Sequence, residues 1–144
     1  MGPGGSSPAY TTLKGLTNLQ ELYLSETEVT DAGLGHLKGL SNLKTLDLKN
    51  TKLSGAGLEH LRALPQLRWL VLDDTKLTDA GLKHLNGLTT VSQLNLCRTK
   101  VTDAGLEHLK ALSQLRWLLL DETKVTDAGV KKLQQTLPNC QIER

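Results

Sequence analysis

One pattern recurs along this chain without a gap, and it dictates what the chain can fold into. Its copies begin at Leu19, Leu43, Leu67, Val91 and Leu115, each 24 residues after the last. The first copy runs Leu19, Leu22, Leu24, Thr27, Val29, then Thr30-Asp31-Ala32-Gly33-Leu34, then Leu37 and Leu40. Later copies keep nearly all of it, with Leu46, Leu48, Thr51 and Leu53 in the second and Leu118, Leu120, Thr123 and Val125 in the fifth. A unit this short cannot hide its own apolar face, so the copies must stack into a solenoid.

Within each copy the periodicity changes, and the change predicts local structure. Leu22 and Leu24 alternate with Glu21, Tyr23 and Ser25, the two-residue period of a strand with one buried face. From Leu34 the leucines fall three apart, at Leu34, Leu37 and Leu40, which predicts a helix with one apolar stripe. Thr30 stands where an N-cap oxygen would accept from first-turn amides, and Asp31 suits the positive end of the helix dipole. Strands pack ~4.8 Å apart and helices about 8 to 10 Å apart, so the stack bends with its strands on the inside.

The run Leu-x-x-Leu-x-Leu-x-x-Thr-x-Val/Leu-Thr-Asp-Ala-Gly-Leu resembles the leucine-rich-repeat family. The likeness is to the helix-bearing form of ribonuclease-inhibitor-like proteins and many bacterial repeat proteins, and it extends over residues 13–142. It implies an α/β solenoid, a segment of a right-handed horseshoe with parallel strands on the concave side and helices on the convex side. The chain departs from the family where Asn or Cys often stands, carrying Thr27, Thr51, Thr75, Thr99 and Thr123. A threonine hydroxyl can still bond to turn backbone there. Gly55 replaces the Asp of the second copy, and Lys132 replaces the His of the fifth.

The two ends read differently. Residues 1–10 are too poor in apolar side chains to pack and read as a flexible leader or a remnant, leaving a repeat domain over 11–142. Leu13, Gly15, Leu16 and Asn18 match Leu37, Gly39, Leu40 and Asn42, so residues 11–18 form a partial repeat. Leu137-Pro138-Asn139-Cys140-Gln141-Ile142 arrives one residue late and reads as a closing strand near 140–142. An open first repeat would expose leucines and strand amides, which suggests self-association through that N-terminal edge. It also supports an alternative role as a structural or assembly segment of a longer array. An engineered scaffold without a natural partner fits the close agreement of the copies but not irregularities such as Thr89-Thr90.

Composition bounds the partners. A formal charge of +2 is too small to supply the phosphate-neutralising stripe of a nucleic-acid binder. No apolar stretch approaches the ~20 residues that cross a bilayer, so no membrane insertion is expected. Cys97 and Cys140 read as free thiols, which favours a reducing, cytoplasmic compartment.

No catalytic set emerges, and no cofactor or metal is expected. His36, His60, His84 and His108 recur at one repeat position, but each belongs to its own helix. Neighbours would then lie about 8 to 10 Å apart, too far for zinc bonds of about 2.0 to 2.1 Å. Asp31, Asp79, Asp103 and Asp127 are explained as helix-start residues, and Lys52, Lys76, Lys100 and Lys124 as a solvated rim. Cys97 has no nearby His to activate it, and phosphate loops, paired cysteines and serine elbows are missing from the sequence.

Removing the repeat's fixed positions leaves the side chains that strands point away from the core. These include Tyr23, Asp47, Trp69, Val71, Asp73, Gln93, Asn95, Cys97, Trp117, Leu119 and Asp121. The set holds both tryptophans of a chain without phenylalanine. Trp69 and Trp117 share a column with Gln93 between them; Val71 and Leu119 extend the apolar patch, and Asp73 and Asp121 border it. An apolar cluster rimmed by polar groups marks a binding surface, and tryptophan is enriched at binding hot spots. The expectation is a non-catalytic module that binds a protein partner on this face, through Trp69, Trp117, Val71, Leu119, Tyr23, Gln93, Asn95, Asp73, Asp121 and Asp47.

Overall fold

A computed structural model of the chain describes residues 16–144. The expected leader 1–10 and most of the partial repeat, residues 11–15, lie outside the described residues. Six three-residue strands form one parallel sheet in chain order: β1 (Glu21–Tyr23), β2 (Thr45–Asp47), β3 (Trp69–Val71), β4 (Gln93–Asn95), β5 (Trp117–Leu119) and β6 (Gln141–Glu143). The middle residue of each strand points into the core. Leu22, Leu46, Leu70, Leu94, Leu118 and Ile142 stand in register across the sheet, and the four inner leucines are fully buried.

The opposite side differs from the expected run of α-helices. The first two repeats carry 3₁₀ segments, Ala32–Leu37 and Ala56–Ala63. The next two open with one α turn, Asp79–Leu82 and Asp103–Leu106, and continue as 3₁₀ through Lys83–Leu85 and Glu107–Leu109. Only the last repeat has a long α-helix, Asp127–Thr136. Leucine spacing accounts for the difference. A 3₁₀ helix has 3.0 residues per turn, so Leu34, Leu37 and Leu40, three apart, all face inward without drift, and all are fully buried. In the last repeat Val130, Leu133 and Leu137 are spaced three and then four, the α-helical pattern.

That extra residue is the delay noted at Leu137, and it does not reach the sheet. Cys140 and Ile142 are two apart where Leu115 and Leu118 are three apart. The closing strand therefore regains the period, with Trp117 paired to Gln141 and Leu118 to Ile142.

Two further features recur in every repeat. The hydroxyls of Thr27, Thr51, Thr75, Thr99 and Thr123 donate to the carbonyls of Leu24, Leu48, Leu72, Leu96 and Leu120 at 2.6–2.8 Å. The residue before each threonine, Glu26, Asn50, Asp74, Arg98 or Glu122, is left-handed, with φ between 53 and 60°.

The aspartate column does more than begin helices. Asp79 accepts from the amide (2.7 Å) and hydroxyl (2.5 Å) of Thr102 in the following repeat, and Asp103 does the same with Thr126 (2.8 and 2.5 Å). Asp31 accepts from the Ser54 hydroxyl and from the Ser54, Gly55 and Gly57 amides. Asp31, Asp79 and Asp103 thus cap the following repeat's turn, a role beyond their place at the start of their own helices. A side chain on Gly105 or Gly129 would collide with the carboxylate of Asp79 or Asp103, so glycine's close approach serves neighbouring helical turns. The threonine N-caps are only partly realised. Thr102 and Thr126 accept from Ala104 and Gly129 amides, whereas the buried Thr30 hydroxyl has no partner.

Candidate functional site

The sheet face turned away from the helices carries the expected side chains, on unequal terms. Tyr23, Trp69 and Trp117 are 58%, 37% and 48% exposed, so the large aromatics lie outside the leucine core. Trp69 and Trp117 stand in register with Gln93 between them, which puts their backbones roughly 10 Å apart. Asp47, Gln93, Asn95 and Leu119 are half-buried, and Asp121 is exposed. Val71, Asp73 and Cys97 point to this face but are buried, at 7%, 9% and 6% exposure. They floor the surface and offer little contact area.

The two tryptophans differ in their hydrogen bonding. The Trp69 indole N–H donates to the Asn95 side-chain oxygen at 3.2 Å, holding its ring across the neighbouring strand. Among the described residues the Trp117 indole has no such acceptor. Asn95 was expected as a contact residue; its role in holding Trp69 depends on side-chain reach, which strand alternation does not reveal. The expected face also omitted β6, whose Gln141 and Glu143 stand beside Trp117 and Leu119. The clue was the 24-residue step from Leu118 to Ile142.

Polar groups beyond the strands are largely committed. Burial raises the Asp73 carboxyl above its ordinary value although it accepts from the Cys97 amide at 2.7 Å. Burial, helped by the negative Asp73, pushes the Cys97 thiol up to about 11. That thiol sits 3.7 Å from Asp121 and stays protonated at neutral pH, the opposite of an activated nucleophile. Arg98 forks onto both Asp74 oxygens at 2.8 and 2.9 Å, which holds the Asp74 carboxyl below its usual range.

On the helical side the four histidines are half-buried. The closest ionic neighbour of His84 is Glu59 at 4.0 Å. Among the described residues no group of three or more His, Cys, Asp or Glu is placed to hold a metal ion. Glu107 lies in a shallow groove between the last two repeats and pairs with Lys110 and Lys132 at 2.6 and 3.0 Å, so its charge is compensated. Among the described residues no helix is long and apolar enough to cross a membrane.

A parallel sheet with one strand and one helical segment per 24 residues defines a repeat solenoid. Residues 17–77 match the leucine-rich-repeat family model. Among solved structures the chain is similar to an internalin from Listeria monocytogenes, at 22% identity and a TM-score of 0.73, over 92% of this chain and 36% of that one. It is also similar to a leucine-rich-repeat protein from Leptospira interrogans, at 21% identity and a TM-score of 0.61, over 91% of this chain and 38% of that one. The chain thus spans well under half the length of either protein. No protein of curated function matches it in sequence.

Proposed function

We propose that this chain is a non-catalytic protein-interaction module whose partner docks on the sheet face that carries Trp69 and Trp117. The observation behind this reading is the exposure of both indoles on one strand column while the leucines fill the core. Leaving such area in water forgoes burial worth about 25 cal/mol per Å², and a partner would recover it. Tryptophans at the centre of a polar-rimmed patch are the residues that most often carry binding energy.

The experiment compares capture from a native lysate by wild type, Trp69→Ala/Trp117→Ala and the helical-side variant Glu59→Ala. The double variant should lose the partner with only a small drop in melting temperature, from the Trp69–Asn95 bond it removes, while Glu59→Ala keeps both. Leu94→Ala, in the fully buried strand core, should instead lose about 2 to 5 kcal/mol of stability. Unimpaired capture by the double tryptophan variant would overturn the proposal, as would a stability loss matching that of Leu94→Ala.

A further inference from the structure

The charge of the sheet face is opposite to that of the chain. Its outward positions, taken along the strands and two residues beyond, carry Glu21, Asp47, Asp73, Asp121 and Glu143 against Lys49 alone, in a chain of formal charge +2. Five acids and one base leave this face at −4. The imbalance is greatest beside the less restrained tryptophan. Across β5 and β6, Trp117 stands next to Gln141 and Leu119 next to Glu143, with Asp121 and Glu122 just beyond Leu119.

Two of the cations nearest this corner have carboxylate partners of their own, whereas Lys124, just past Glu122, is exposed. Arg98 forks onto Asp74 and approaches Glu122 only to 4.0 Å, and Arg144 is held by Asp127 at 2.6 Å. Asp121 faces the neutral Cys97 thiol, and Glu143 accepts from the Gln141 side-chain Nε2 at 3.2 Å. Exposed Lys44, Arg68 and Arg116 precede β2, β3 and β5. At β5 the strand thus starts beside a base, Arg116, and ends beside the acids Asp121 and Glu122.

We propose that the β5–β6 end of the face receives a cationic protein segment, which lays an arginine or lysine over the Trp117 ring and toward Asp121, Glu122 and Glu143. The inference rests on the sheet-face reading above and adds the partner's chemistry. A cation over an exposed indole face gains from the ring's quadrupole, and the carboxylates add attraction that salt weakens. Aliphatic parts of the same segment would cover Leu119. Arg116 at the start of β5 sets the orientation, since it repels a cation placed there.

The protein has only two tryptophans, so Trp69→Phe makes Trp117 the sole indole reporter. That variant is titrated with a dye-labelled peptide of arginine and leucine, and with its counterpart carrying glutamate for arginine. Trp117 emission reports the face, and peptide anisotropy reports binding. The arginine peptide should bind and shift Trp117 emission, and the glutamate peptide should do neither. Asp121→Asn/Glu122→Gln/Glu143→Gln should weaken binding roughly tenfold, and added salt should weaken it further. Equal or stronger response to the glutamate peptide, or no binding of the arginine peptide, overturns the cationic preference. A glutamate peptide that shifts Trp117 emission leaves the sheet-face reading standing. An arginine peptide that binds with emission unmoved, and binds Trp117→Ala equally well, refutes the sheet-face reading itself.

Discussion

Asp79 and Asp127 occupy the same repeat position, yet the structure predicts that only the first matters to stability. Asp79 opens a single α turn and accepts two bonds from Thr102 of the next repeat, at 2.7 and 2.5 Å. Asp127 opens the ten-residue helix, caps no following repeat, and pairs with Arg144 through a side chain that is 90% exposed. A helix-dipole account would favour Asp127, because the longer helix offers the larger macrodipole, and would assign each residue about 0.3 to 1 kcal/mol. The inter-repeat account reverses the order.

Asp79→Ala strips the Thr102 amide of its acceptor at a partly buried turn and removes one hydroxyl bond. Bonds to a charged acceptor contribute about 1.5 to 3 kcal/mol each, and partial exposure reduces that, so the loss should be about 2 kcal/mol. Asp127→Ala should fall within about 0.5 kcal/mol of wild type, as surface substitutions do. Chemical denaturation at pH 7 measures both. Equal losses, or a larger loss at Asp127, would refute the inter-repeat capping argument.

Stability should also depend on pH through the same column. Ser54, Gly57 and Gly55 hydrogen bonds outweigh the burial that would raise the Asp31 carboxyl, and Thr126 bonds lower that of Asp103, so both folded-state pKa values lie below the ordinary value. Their stabilisation is then complete above the unfolded value of about 4 and is lost as pH falls through the lower folded values. Asp31→Asn/Asp103→Asn should flatten the loss of denaturation midpoint below about pH 4, and an unchanged slope would count against these bonds. Cys97, with its thiol pushed up to about 11, should react with maleimide at least about tenfold more slowly than an unperturbed thiol, because its smaller thiolate fraction outweighs the greater nucleophilicity of that thiolate. Rapid labelling of the native protein would show that the thiol is not buried as described.

The period and strand register were legible in the sequence because leucine recurs so regularly that a one-residue slip would turn every core side chain outward. Helix type was not legible there: the three-residue leucine steps predict an ordinary helical stripe, whereas they accompany 3₁₀ segments, and the four-residue step from Leu133 to Leu137 accompanies the one long α-helix of the described residues. The aspartate bonds were hidden because each partner lies 23 to 26 residues away, in a copy that looks the same. The left-handed column was hidden for another reason. Asn50 and Asp74 suit that conformation, but Glu26, Arg98 and Glu122 do not advertise it, so the ladder rather than the residue imposes it.

The same separation explains how a stable stack can leave one face free. Core leucines and aspartate caps join each repeat to its neighbours inside the stack and along the helical side, while threonine hydroxyls fix the turn within each repeat. None of those links passes through Trp117, Leu119 or Asp121. Trp69 is the partial exception, since its bond to Asn95 ties it to the adjacent strand. Replacing Trp69 therefore removes both contact area and a cross-strand bond, whereas replacing Trp117 removes contact area from a side chain that no indole hydrogen bond restrains. Binding loss without stability loss belongs more cleanly to Trp117, and for that reason the partner's chemistry is best read at β5–β6.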